Sequence, residues 1–299
     1  MWTDVPAEFA TATRRQPERV GWLEGLPRLV GELLEQWQLS PDVGVAHGQN
    51  AVVVPVRTRA GEAAALKVGW PHREAVHEHL ALRAWAGEGA VRLLRADPRR
   101  HALLLERAGP DDLHQLEVVQ ACEVVAGLYA RLHRSPLPQL DRLSGEAARW
   151  AEELQTLRGT PLAPRRFVDQ AARLAADFAA DPGTDVALLH GDLHYANVLA
   201  AGREPWLVID PHPLAGDPAF EVAPLLRNRW TEAATSDDLR GALLDRLYAV
   251  VDTAGLDEDR VRDWVVVREM VNVLWASREP ALDRELVTRS TTVVKAVQR

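Results

Sequence analysis

Residues 1 to about 40 carry apolar positions at helical spacing, strongest over 24–39, and Ser40-Pro41-Asp42 breaks the run. Short β-like runs follow at 43–46, 51–58 and 63–68, with Arg59-Ala60-Gly61 reading as a hairpin turn between the last two. Pro71 opens a helical pattern that continues to Trp85 and closes at Gly87. Two more strand patterns occupy 91–95 and 102–107. Beyond Asp111 the period becomes helical, over 113–133, 145–157 and 164–180, punctuated by Pro136, Pro138, Pro161 and Pro182. An apolar strand, a polar loop and a second apolar strand then form a hairpin over 186–210. Helical spacing returns at 220–230, 237–253, 257–277 and 281–297. The pattern predicts an α+β chain with a small β-rich N-terminal lobe, 1–107, and a larger, mainly helical C-terminal lobe, 108–299.

The hairpin carries the chemistry. His190-Gly191-Asp192-Leu193-His194-Tyr195-Ala196-Asn197 fills its loop, and Asp210 ends its second strand. The arrangement brings a carboxylate, an amide oxygen and a second carboxylate to one edge of a fold. Mg²⁺ takes hard oxygen ligands and leaves room for substrate phosphates, which suits Asn197 and Asp210. Asp192 then remains to accept a hydroxyl proton. Each residue alone also fits a turn cap; the set at this spacing points to phosphoryl transfer, where catalysis is mostly positioning and charge stabilisation.

Composition sharpens one residue. The chain has 35 basic residues but only two lysines, Lys67 and Lys295. Lys67 lies inside an apolar strand pattern, where a compact ammonium reaches a phosphate that a planar guanidinium does not fit. Glu74 and Glu78 share a face of the following helix, and either can pair with it. His47-Gly48-Gln49-Asn50 joins two strands, and backbone N–H groups around Gly48 can hold phosphate oxygens. No Gly-x-x-x-x-Gly-Lys-[Ser/Thr] sequence occurs, which argues against a P-loop. His190, His194 and His212 lack the partners and spacing of a zinc hydrolase.

His190-x-Asp192-x-x-x-x-Asn197 followed by Asp210 resembles the catalytic loop and metal-binding carboxylate of the aminoglycoside phosphotransferase family. The string from Ile209 to Glu221, Asp-Pro-His-Pro-Leu-Ala-Gly-Asp-Pro-Ala-Phe-Glu after its first residue, resembles the branch holding streptomycin 6-kinases and hydroxyurea phosphotransferases. That branch usually has Lys at the position of His212 and Asp at that of Glu221. The resemblance implies a protein-kinase-like fold with ATP in the cleft, Mg²⁺, and a small hydroxyl acceptor such as streptomycin. It implies that Glu78 rather than Glu74 pairs with Lys67, that His190 braces the loop, and that backbone groups at Glu106 and Ala108 meet the adenine. Asp217 is expected as an N-cap bracing the Asp210 loop. With Glu269 and Asn272 of a late helix, it is also a candidate for the acceptor side. Alternative readings are a kinase of another small alcohol, or a nucleotide-binding module without turnover; the intact Lys67, Asp192, Asn197 and Asp210 argue against the latter.

The net charge of −8 disfavours nucleic-acid binding and accords with a cationic acceptor. No apolar run reaches a membrane span, and the N-terminus has no secretory pattern. Cys122 is the only cysteine, so no internal disulfide forms. These features predict a cytoplasmic monomer or homodimer whose partner is a small molecule.

Overall fold

The computed structural model describes residues 2–298 and falls into two compact units. The first runs through Gly109 and takes in Ala201–Leu207; the second holds Pro110–Ala200 and the chain from Val208 onward. The fold class is α+β and protein-kinase-like. Among the described residues, no helix is long and apolar enough to cross a membrane.

The first unit begins with helices α1 (Ala7–Arg14) and α2 (Val20–Trp37). Strands β1 (Ser40–Pro41), β2 (Ala46–His47), β3 (Ala51–Arg57) and β4 (Ala63–Gly69) follow, then α3 (Glu78–Trp85), β5 (Leu93–Asp97) and β6 (Ala102–Glu106). The sheet order is β1-β3-β4-β6-β5, antiparallel throughout, with β2 on β3. One face is apolar: Val52, Val54, Val56, Ala64, Leu66 and Val68 pack with Leu26, Val30 and Leu33 of α2. Strand alternation sends Lys67, between Leu66 and Val68, to the opposite face.

Two expectations need correction here. The strand read over 43–46 shrinks to Ala46–His47, and Val43 is exposed, while Ser40–Pro41 pairs with the end of β3. The helix read from Pro71 begins only at Glu78. His72 is extended (φ −144°, ψ 157°) and Arg73–Ala75 makes one 3-10 turn, so helical hydrogen bonding starts late. Glu78 then sits in the first turn, where a carboxylate suits the helix dipole.

The second unit contains α4 (Val118–Leu132), α5 (Leu143–Glu153), α6 (Arg165–Ala180), β7 (Ala187–Leu189), β8 (Val198–Ala200) and, after the excursion through the first unit, the end of β9 (Trp206–Val208). It continues with β10 (Leu214–Gly216), α7 (Ala223–Arg227), α8 (Trp230–Ala234), α9 (Leu239–Ala254), α10 (Glu258–Arg278) and α11 (Arg284–Val297). Strand β10 pairs antiparallel with β7, which ties the chain after Asp210 to the strand that leads into His190. Helix α10 is buried nearly all round, from Val261 to Ala276, and packs on α6 and α11. Of its charged and polar side chains within that span, Arg262, Glu269 and Asn272 are buried with it. The single helices expected over 113–133 and 220–230 are each broken. Leu116 is extended in the first, and Arg229 takes a left-handed φ of 53° in the second. Arg246 donates to the carbonyls of Leu226, Asn228 and Arg229, satisfying acceptors that the break leaves without helical partners.

The side chain of Asp257 accepts from Arg260 N–H (2.8 Å) and caps α10. We expect Asp257→Ala to cost about 1 kcal/mol. The measurement is urea unfolding, read as a lower midpoint with an unchanged slope.

Candidate active site

In the first unit, Lys67 Nζ donates to both carboxylate oxygens of Glu78, at 2.7 Å each, and both side chains are buried. Lys67 stands in the middle of a seven-residue strand paired on both sides, so its Cα is fixed. Of the two glutamates weighed from the sequence, the lysine bond runs to Glu78. Gly48 closes a turn in which its N–H donates to Ala51 O (3.0 Å); a Cβ there would meet nothing within 4 Å. Glu106 ends β6. Its carboxylate accepts from Arg92 N–H (3.0 Å) and from Arg203 Nε and Nη2 (3.0 and 2.9 Å). Burial would raise this carboxyl, and the Arg203 and Arg92 bonds outweigh that and hold it below its ordinary value. Ala108 lies in the half-buried segment that follows.

In the second unit, the loop after β7 turns at Gly191, with φ +84°. An added Cβ would lie 2.1 Å from the His212 carbonyl oxygen and 2.9 Å from Leu214 Cδ2. Only glycine fits. The polar backbone groups around this turn are held in succession. His190 C=O accepts from His212 N–H (2.8 Å). Gly191 N–H donates to Glu221 Oε1 (2.6 Å), and Gly191 C=O accepts from Arg268 Nη2 (2.7 Å). Asp192 N–H donates to His190 Nδ1 (3.3 Å), and Asp192 C=O accepts from Asn197 Nδ2 (2.8 Å). The backbone of Asp192 is thereby fixed, and its half-buried carboxylate lies 3.6 Å from His194 Nε2.

The tautomer of His190 follows from its partners. Nδ1 accepts from Asp192, so Nε2 carries the proton and donates to Ile209 C=O (2.8 Å). Both ring nitrogens are occupied, which removes His190 as a metal ligand. Burial lowers its pKa against the pull of Glu221 and Asp192, in keeping with a neutral ring. His194 is likewise lowered by burial, against the charges of Asp192 and Asp210.

Asn197 uses its amide nitrogen on the loop, which leaves the amide oxygen for a cation. Ile209 N–H donates to Asn197 C=O (2.9 Å), joining the loop to the residue before Asp210. Asp210 has φ +57°, a left-handed conformation that Asp tolerates better than most residues. Strained residues of this kind cluster where function over-determines the backbone. The amide and carboxylate oxygens suit a hard dication that keeps phosphate oxygens in its shell.

Glu221 is fully buried. Oε1 takes Gly191 N–H, Oε2 takes His133 Nε2 (2.7 Å), and Tyr129 OH donates to its backbone carbonyl. Burial would raise the carboxyl, but the His133 and Gly191 bonds prevail and lower it. Asp217 is a buried cap: it accepts from Ala219 N–H (3.0 Å), Trp264 Nε1 (2.6 Å) and the Arg260 guanidinium. Glu269 is also fully buried, and its Oε1 binds Arg227 (2.7 Å). Among the described residues, Glu269 Oε2 and Asn272 Nδ2 have no hydrogen-bond partner. The sequence reading missed Arg268, His133 and Arg203. Arg268 and Glu269, adjacent charges inside the otherwise uncharged run from Trp264 to Leu274, are the one signal that could have pointed to Arg268.

Residues 36–279 match the family described as aminoglycoside/hydroxyurea antibiotic resistance kinase. The chain is 38% identical over 296 residues to a streptomycin 6-kinase of Streptomyces glaucescens, covering 95% of each chain. It is 42% identical over 286 residues to a hydroxyurea phosphotransferase of Kitasatospora aureofaciens, covering 91% of this chain and 80% of that one. Its fold resembles that of a thermostable mutant of aminoglycoside phosphotransferase APH(4)-Ia in ternary complex with ADP and hygromycin B. The TM-score is 0.61 at 17% identity, over 89% of this chain and 97% of the other.

Gly191→Ala is expected to lower the melting temperature and cut turnover, because left-handed backbone costs a residue with a Cβ roughly 1–2 kcal/mol even before the clash with His212. A variant with wild-type melting would contradict the turn geometry. The buried ring of His190 resists a proton that the unfolded chain accepts below about pH 6.5, and Glu221 resists one below the ordinary carboxylate value. Both folded pKa values are depressed, so stability present at neutral pH declines as pH falls through 6.5 and then through 4.5. Denaturant midpoints against pH should show this, and His190→Gln should lessen the first part of the decline, with His194 contributing to what remains.

Proposed function

The chain belongs to the aminoglycoside/hydroxyurea antibiotic resistance kinase family, and on that footing we propose that it moves the γ-phosphoryl group of ATP to a hydroxyl of streptomycin or a related aminoglycoside. It is a phosphotransferase with an alcohol group as acceptor, of a kind that inactivates antibiotics. The observation that carries the reading is the loop around Asp192, in which every backbone polar group from His190 C=O to Asp192 C=O has a partner. Phosphoryl transfer asks the protein for positioning, and this loop supplies it before any substrate arrives.

Asp192 has the role of base. It orients the acceptor hydroxyl and takes its proton as the new O–P bond forms and the bond from the γ-phosphorus to the bridging oxygen breaks, releasing ADP. Asn197 and Asp210 would hold Mg²⁺, which when bound neutralises charge on the phosphate oxygens. Lys67, aimed by Glu78, contributes its ammonium to the nucleotide phosphates. Gly48 and the backbone at Glu106 and Ala108 remain the candidate contacts for phosphate and adenine. Glu269 and Asn272 remain candidates for the acceptor, with the Arg227 bond offsetting part of the Glu269 charge. The identities of 38–42% to enzymes named for streptomycin and hydroxyurea support an antibiotic acceptor. The acidic chain, at −8, favours a cationic one.

Coupled ADP release with MgATP and a panel of aminoglycosides and polyols tests the proposal. Asp192→Asn should lower kcat by roughly 10²–10⁴-fold while the fold persists. Retention of about a tenth of the rate or more would remove Asp192 as base. Lys67→Met should raise the KM for ATP. The KM for streptomycin should climb with salt more than that for MgATP, since exposed charges are screened over about 10 Å at 0.1 M. Efficient phosphorylation of an uncharged polyol, with none of streptomycin, would overturn the aminoglycoside assignment.

A further inference from the structure

Arg268 projects from the middle of α10, and its half-buried guanidinium reaches two backbone carbonyls. Nη2 donates to Gly191 C=O at 2.7 Å and Nη1 donates to Phe220 C=O at 3.0 Å. The guanidinium also lies over the Phe220 ring, 4.2 Å from its centroid. Gly191 C=O belongs to the peptide group whose nitrogen is that of Asp192. The peptide group before it ends in Gly191 N–H, which Glu221 holds. Residue 220, the second carbonyl of the arginine, directly precedes Glu221. One planar fork therefore links the turn before Asp192 to the segment whose carboxylate holds the other side of that turn.

A fork is needed for this. Two carbonyls are reached at once while the plane stacks on an aromatic ring, and lysine has neither the paired donors nor the flat face. Among the described residues its hydrogen bonds go to neutral carbonyls, while the charges of Asp192, Glu221 and Glu269 act on it from farther off. A half-buried charge spent on carbonyls is costly to keep unless those carbonyls must be held.

We propose that Arg268 is a positioning residue for phosphoryl transfer, which sets the Gly191–Asp192 peptide plane and through it the aim of the Asp192 carboxylate. This rests on the role given to Asp192 under the proposed function. It adds a residue distant in sequence and outside the loop, with no expected contact to nucleotide or acceptor.

The test uses the full chain. Arg268→Gln, Arg268→Lys and the surface control Arg278→Gln are compared for kcat and for KM of ATP. Hydrogen–deuterium exchange is followed in parallel over peptides covering 188–199. Arg268→Gln should lose about 10²-fold in kcat, the scale of a small misplacement of reacting groups, with KM for ATP changed by less than about threefold. Exchange should quicken at 190–193 and not across the helical unit. Arg268→Lys should fall between, and Arg278→Gln should match the wild type. If Arg268→Gln does not fold, Arg268→Lys decides the matter by the same readings. Wild-type kcat with wild-type loop exchange overturns the proposal, and so does quickened exchange across the whole unit, which would make the arginine a general support. Failure of the ATP reading would show in the wild-type protein as absent ADP release. Failure of this inference shows in the comparison of variants, as no difference or as exchange quickened across the whole unit, and the exchange arm needs no turnover.

Discussion

The turn at Gly191 leaves no room for a side chain, and the rest of the site is built around that constraint. With φ at +84° and the His212 carbonyl where a Cβ would go, the chain passes the segment leading into β10 at backbone contact distance. Such a close approach turns successive N–H and C=O groups to different sides, and each must find a partner or pay for desolvation. Glu221 and Arg268 meet the two groups of Gly191 from separate elements, and His190 and Asn197 meet those of Asp192 from within the loop. A residue that must orient a hydroxyl to within a fraction of an ångström gains directly from a backbone held in this way.

Charge is distributed unusually for such a turn. Glu221 takes the Gly191 N–H with one oxygen, and its second oxygen is taken by His133 from the end of α4. Arginine dominates the cations of the chain, and much of that arginine is used on carbonyls: Arg246 on three, Arg229 on two, Arg268 on two. Guanidinium groups do this well because their donors diverge in a plane and their hydration is weak. Lys67 stands apart as a point charge set against Glu78.

What the sequence makes legible is local: Asp192, Asn197 and Asp210 fall within one hairpin, and the Asn197 amide holds the Asp192 carbonyl from inside that loop. The strands from Ala51 to Glu106 were legible through alternation and a clear turn at Gly61. Less legible were starts and breaks. The helix expected from Pro71 is delayed to Glu78 because His72 stays extended, and the run over 220–230 is interrupted by Arg229, whose guanidinium is drawn to Leu113 and Leu116. Periodicity cannot register a break that a distant partner imposes. The same reason hides His133 and Arg268: each acts on the loop from far along the chain, and only the uncharged run around Arg268 hints at the second. Glu269 was visible as a helical charge three residues before Asn272, but not as the partner of Arg227.

The bond between Arg203 and Glu106 gives the first unit a discontinuous membership. The peptide from Ala201 to Leu207 is synthesised long after the sheet it joins, and its arginine bonds the carboxylate that ends β6 and the Ala90 carbonyl. A hybrid made by joining the first 109 residues of one relative to the remainder of another would therefore inherit a mismatched piece. The recombination boundary that respects this architecture is interrupted: it exchanges the leading segment together with Ala201–Leu207, and leaves β8 and the chain from Val208 onward in place.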